Sequence, residues 1–170
     1  MDVFQILATL VALVAVVCDL RTRRIPNILT FGAAVLAIAL HAYFGGWTGA
    51  GIALLGWIVG AAFFFPLFAL GGMGAGDVKL LAALGACLGP AVTIWLALFS
   101  AIAGGAMGLI VSVMSGYLTQ AIVNILWMFR FWRASGPKPV PEVTLATHKG
   151  PRLAYALPVF AGLMVTLWLQ

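Results

Sequence analysis

Charged residues are scarce in this chain: they make up 8% of its 170 residues, and only four are acidic. An average soluble domain is about a quarter charged, so the composition indicates an integral membrane protein. The long apolar runs also lack the polar–apolar alternation of a transmembrane barrel. Backbone amides have no water to bond in hydrocarbon, so helices remain as the spanning structure. Cysteine is nearly absent. Cys18 and Cys87 lie in or beside apolar runs and form no CxxC pair, which supports neither a disulfide framework nor a zinc site. The opening "MDVFQILATLVALVAVVCDL" has no basic stretch, and its first charge is Asp2. It reads as a retained first span with an outside amino terminus, not a cleaved signal peptide.

The net charge of +5 comes mainly from two blocks: Arg21, Arg23 and Arg24, then Arg130, Arg133, Lys138, Lys149 and Arg152. Both blocks abut apolar runs, the bias of cytoplasmic loops, so no nucleic-acid partner is expected. The apolar runs predict an all-α polytopic membrane protein of six transmembrane helices. The spans fall at about 3–17, 28–44 and 52–70, then a fourth at "LLAALGACLG", followed by about 91–114 and 153–169. "GGWTGAG" predicts a tight external turn between the second and third. The fourth run stops at Gly89–Pro90. It is either a short span of roughly 18 Å against a core of roughly 30 Å, or a helix kinked at the proline. "YLTQAIVNILWMFRFWR" either extends the fifth span or lies along the interface, where its Trp and Arg residues are at home. A basic loop at about 133–152 follows. The whole chain, 1–170, reads as one membrane-embedded domain with both termini outside. Glycines four apart (Gly56/Gly60, Gly85/Gly89, Gly104/Gly108) predict close helix packing.

Two acids remain for chemistry once Asp2 at the outer terminus and Glu142 in the soluble loop are set aside. Asp19 ends the first span, and Asp77 opens the fourth within "GGMGAGDVKL". Both fall on the predicted cytoplasmic side. An ionisable group at the edge of hydrocarbon is a functional candidate by default. Like charges a few ångströms apart resist double ionisation, so such a pair shares a proton. One carboxylate can then activate a water while the other polarises a peptide carbonyl. A structural alternative stands beside this for each residue. Asp19 can pair with Arg21 or Arg23, and Asp77 can cap the helix that follows it.

"GAGD", Gly74 to Asp77, resembles the GxGD motif of membrane-embedded aspartyl peptidases. "DLRTRRIPNILT", Asp19 to Thr30, resembles the first aspartate motif of the type IV prepilin peptidases. The two motifs lie 58 positions apart and together are far more specific than either alone. "GPRLAYALPVFAGL" resembles the family's final helix more loosely. The resemblance implies that Asp19 and Asp77 are the catalytic pair, with no metal and no cofactor. It implies that Gly74 and Gly76 let an active-site loop approach the substrate and re-aim Asp77, since glycine accepts unusual dihedrals. Lys79 either biases the ionisation of Asp77 or marks the interface. Arg21, Arg23 and Arg24 set topology and contact anionic lipids, with substrate contact as the alternative. Pro26 and Asn27 shape the start of the second span.

The chain resembles the short, peptidase-only members that serve tight-adherence (Flp-type) pili, or the archaeal preflagellin peptidases. It has no paired CxxC region, so methyltransferase activity is not expected. The implied partner is a prepilin, presenting a transmembrane helix and a short basic leader that is cut after a glycine at the cytoplasmic face of the inner membrane. Two rivals remain. A transporter component calls for ionisable groups at mid-bilayer, and the span centres carry none. A non-catalytic scaffold for pilus or secretion assembly would keep the same fold with inert aspartates.

Overall fold

The computed structural model describes residues 2–136 and 153–169. The described residues form six helices: α1 (Val3–Thr22), α2 (Asn27–Ala69), α3 (Ala75–Leu88), α4 (Pro90–Met114), α5 (Leu118–Ser135) and α6 (Ala156–Trp168). Helices α1, α2 and α4 are long and apolar enough to cross a membrane, and α6 is a shorter apolar helix. Most of the predicted basic loop, with Lys138, Glu142, His148, Lys149 and Arg152, lies outside the described residues.

Helix α1 shows how the bundle is sorted. Ala8, Val11, Ala12, Ala15, Val16 and Asp19 are buried, a stripe at the three-to-four-residue spacing of one helix face. Ile6, Leu10, Leu13, Val14 and Val17 point outward. Small residues inside and large aliphatic ones outside is the pattern of packing in lipid, where close backbone approach replaces the hydrophobic drive. Asp19 is the last member of the buried stripe. Arg23 closes the helix in the left-handed region (φ 54°, ψ 29°), its N–H donating to the Asp19 carbonyl.

Helix α2 has 43 residues with one break, Gly46 at φ 59°, ψ −147°. This is a conformation glycine adopts freely and other residues avoid. A Cβ placed on Gly49 would collide with the backbone carbonyl of His41. Eight residues along a straight helix would separate these positions by about 12 Å, so the chain doubles back. The expected turn is therefore real but uses one residue, and the rest of "GGWTGAG" is helical.

Helix α3 sits at the centre, touching α1, α2, α4 and α6. Leu80 through Cys87 are buried without interruption, as befits a helix apolar all round. Gly89 ends it at φ 78° and Pro90 starts α4, so the chain breaks at the glycine and does not continue as a kinked helix. The α2–α3 contact is backbone against backbone. A Cβ on Gly56 would strike the Gly85 carbonyl, one on Gly85 would strike that of Gly56, and one on Gly60 would lie 2.5 Å from the Leu81 carbonyl. Two of the spaced glycine pairs thus contribute to helix packing. Gly104 differs: its neighbour is the Tyr155 ring, not a helix backbone.

Helices α4 and α6 pack through Gly162, which abuts the backbone and hydroxyl of Ser100. A turn at Ser115–Tyr117, with Gly116 at φ 67°, separates α4 from α5. Helix α5 is therefore no simple extension of α4, and α4 is its only partner among the described elements. The two ends of the bundle differ in chemistry. At one, Phe4 stacks on His41 (centroids 3.8 Å apart) and His41 Nε2 lies 3.0 Å from the Cys87 carbonyl oxygen. The start of α1 thus lies by the end of α3, so the two helices run antiparallel.

Candidate active site

The antiparallel arrangement carries the end of α1 to the start of α3, and with them Asp19 and Asp77. Asp19 is 7% exposed, although it lies in the last turn of its helix. That is an unfavourable place for a carboxylate, because unpaired carbonyls make a helix C-terminus partly negative. A second helix compensates. The backbone N–H of Ala156, first residue of α6, donates to Asp19 Oδ2 at 3.2 Å in a buried hydrogen bond. Helix N-termini favour anions through their free amides and their dipole.

Asp77 occupies the third position of α3, after the capping residue Gly74. It is not the N-cap residue, but its carboxylate accepts from the Gly74 backbone N–H, so a helix-capping role stands beside any chemical one. Its carboxylate curls back over Gly74, where a Cβ would lie 3.1 Å from Oδ2. The side chain is half-buried and close enough to Asp19 to feel its charge. Two helix N-termini, those of α3 and α6, therefore meet at two mutually repelling carboxylates. Both helix N-termini favour negative charge at these carboxylates.

The glycines act differently from expectation. Gly74 has φ −77° and ψ 145°, angles open to any residue, and Gly76 lies within α3 without a positive φ. "GAGD" is thus the first turn of a helix and not a loop with glycine-only dihedrals; the positive φ in this region belongs to Gly71. What Gly74 and Gly76 supply is space. Gly74 makes room for the Asp77 carboxylate, and a Cβ on Gly76 would sit 3.4 Å from the Cβ of Ile25. The α1–α2 link thereby rests directly on the start of α3.

The other predicted residues do not converge on the carboxylates. Lys79 Nζ donates to Asn27 Oδ1 at 2.9 Å and lies 5.5 Å from the Phe31 ring centroid, so it faces α2. Pro26 caps α2 and Asn27 is its first residue. Arg24 is exposed, and its carbonyl accepts from the Thr22 hydroxyl.

Two neighbours of the pair lie in the stretch that resembles the family's final helix but were not themselves singled out. Besides the Ala156 amide there is Tyr155, which precedes α6 and feels the charge of Asp77. Its ring packs edge-on to Phe64 (centroids 5.6 Å apart) and fills the space left by Gly104. Among the described residues no group of three or more His, Cys, Asp or Glu side chains could hold a metal ion.

Residues 6–109 match the model of the type IV leader peptidase family. No curated protein and no solved structure matches the chain. The matched stretch runs from α1 through most of α4 and includes both aspartates; Tyr155 and Ala156 lie beyond it. A match over more than half of the sequence, with both motif aspartates inside it, means that the chain belongs to the type IV leader peptidase family.

Proposed function

We propose that this peptidase removes the short basic leader from type IV or Flp-type prepilins, using Asp19 and Asp77 to activate water. The observation that carries the reading is the meeting of the only two carboxylates of α1 and α3 at one end of the bundle, within reach of each other's charge. In this reading Asp19, whose Oδ2 accepts from the Ala156 amide, serves as the base and Asp77 as the acid. Asp19 takes a proton from water as the water oxygen bonds to the scissile carbonyl carbon, and Asp77 gives its proton to the carbonyl oxygen. When the diol collapses, that proton returns to Asp77. Asp19 passes its own proton to the departing amine.

We further propose a single membrane-embedded unit of six spans in the inner membrane. The two arms of α2 count separately, α3 is the short fourth span, and the carboxylates face the cytoplasm beside the Arg21–Arg24 cluster. The substrate's apolar helix stays in the bilayer beside α1 and α3 while its leader reaches the pair from the cytoplasmic side.

The test is cleavage of a co-expressed prepilin in membranes by wild type, Asp19→Asn and Asp77→Asn. Both variants are expected to leave the precursor intact, and full processing by either would remove that residue from the mechanism. Thiol labelling of Thr22→Cys and Ala75→Cys, both at exposed positions, should occur only from the cytoplasmic side. Labelling from outside would invert the topology.

A further inference from the structure

Lys79 and Asn27 are joined to each other and turned away from the carboxylates, beside a groove that the peptidase chemistry does not use. This groove, about 240 Å³, is lined by Thr30 and Phe31 of the first arm of α2, Trp57 and Ala61 of the second, and Val78 and Ala82 of α3, with Lys79 at its edge. Its lining is almost wholly apolar. Asn27, at the start of α2, marks the bundle end nearest the exposed Arg21 and Arg24. From there the groove descends along three helices towards Trp57, in the middle of the second arm.

The ammonium group of Lys79 has three donors. Among the described residues Asn27 Oδ1 is its only hydrogen-bond partner, and no carboxylate there pairs with it. The Phe31 ring at 5.5 Å steadies the charge through its π face without using a donor. Two N–H groups are therefore left for an acceptor at the mouth of an apolar channel. An acyl chain matches the channel, and a phosphate oxygen matches the free donors. Excess positive charge at this end selects an anionic headgroup over a zwitterionic one.

We propose that this groove is a binding site for one anionic phospholipid, its phosphate on Lys79 beside Asn27 and one acyl chain between the arms of α2 and α3. Lys79, among the described residues the one charged side chain lining the groove, carries the same charge as a basic leader, which disfavours the leader as occupant. The site also explains why Lys79 takes a partner on α2 and not the carboxylate of Asp77, two residues earlier: it ties α3 to the membrane surface.

The experiment is native mass spectrometry of the full chain released from nanodiscs containing equal phosphatidylglycerol and phosphatidylcholine. Wild type should retain phosphatidylglycerol about fivefold over phosphatidylcholine, the preference expected of one lysine at an anionic surface. Lys79→Gln should hold lipid with no preference, and Ala61→Phe, which fills the groove, should lose the bound lipid with Lys79 still in place. Circular dichroism checks that both variants are folded, and any that is not is replaced by Lys79→Met or Ala61→Leu. An unchanged preference in Lys79→Gln, or retained lipid in Ala61→Phe, overturns the proposal. So does one-for-one displacement of the lipid by a prepilin transmembrane peptide, which would make the groove a substrate site. Because binding is read without cleavage, failure here is distinct from failure of the peptidase reading.

Discussion

The Oδ2 atom of Asp19 accepts a hydrogen bond from the backbone N–H of Ala156, 137 residues further along the chain. The last helix thereby controls a carboxylate on the first. A bond to an ionised acceptor contributes roughly 1.5–3 kcal/mol, and here it offsets the unfavourable position of Asp19 at the end of α1. Anything that shifts the start of α6 should therefore be felt at the carboxylate pair.

Gly104 tests that dependence from a distance. A Cβ there would lie 2.6 and 2.7 Å from two Tyr155 ring carbons, displacing the residue next to Ala156. Gly104→Ala should lower kcat about tenfold with KM little changed, at an overpacking cost of about 1–3 kcal/mol. Gly105→Ala, with nothing within 4 Å of the new Cβ, should behave as wild type. Equal kinetics for the two would show that α6 does not act on the site.

The two motif glycines should separate by geometry. Gly74→Ala presses a methyl against Asp77 Oδ2 at 3.1 Å, whereas Gly76→Ala meets Ile25 at 3.4 Å, near ordinary contact. Prepilin cleavage is expected to fall roughly tenfold or more in Gly74→Ala, a shift of about 1.4 kcal/mol in barrier, and clearly less in Gly76→Ala. Comparable losses would mean that backbone freedom, not space, is what the glycines supply.

Stability should depend on the α2–α3 backbone contact. Gly56→Ala drives its Cβ into the Gly85 carbonyl, and rigid backbone cannot yield as a side-chain tip can. We expect a loss of about 2–3 kcal/mol, seen as a lower thermal midpoint in detergent. Gly32→Ala meets nothing within 4 Å and should gain up to about 1 kcal/mol from helix propensity. A Gly56→Ala protein as stable as wild type would refute the tight packing of these helices.

Water activated by two carboxylates needs no Lewis acid. Cleavage in washed membranes should accordingly be indifferent to EDTA and to 1,10-phenanthroline. Activity lost on chelation and restored by added zinc would reopen a metal mechanism.

Both carboxylates were legible because the sequence offers so few acids: with Asp2 at the terminus and Glu142 in the polar loop, Asp19 and Asp77 are the two left at the inner ends of apolar runs. The inward face of α1 went unread: Ala8, Ala12 and Ala15 lead to Asp19 at helical spacing, but in a run apolar all round nothing local distinguishes the packed side from the lipid side. Ala156 was not legible either, because every residue except proline carries the same N–H, and only the fold decides which amide meets a carboxylate. Gly74 and Gly76 stand at ordinary dihedrals, which the sequence alone does not reveal. A glycine reads identically whether it is needed for its dihedrals or for its missing Cβ, and neighbours distant in sequence distinguish the two. The turn at 45–51 was placed correctly but drawn too wide, since Gly49 is required by the carbonyl of His41 and not by the bend.

The position of α3 bears on how the protein is made. Fourteen residues rise about 21 Å, less than the roughly 30 Å that a segment must cover to partition into a bilayer alone. Its buried face extends all round, so it gains little from lipid and much from Gly56 and Gly60 on α2. On the six-span reading proposed above, entry of α3 into the membrane follows the doubling back of α2 at Gly46 and uses that hairpin as its template. Asp77 is then carried into place by docking onto a helix already inserted, and a defect at Gly46 would appear as failed biogenesis before it could appear as lost catalysis.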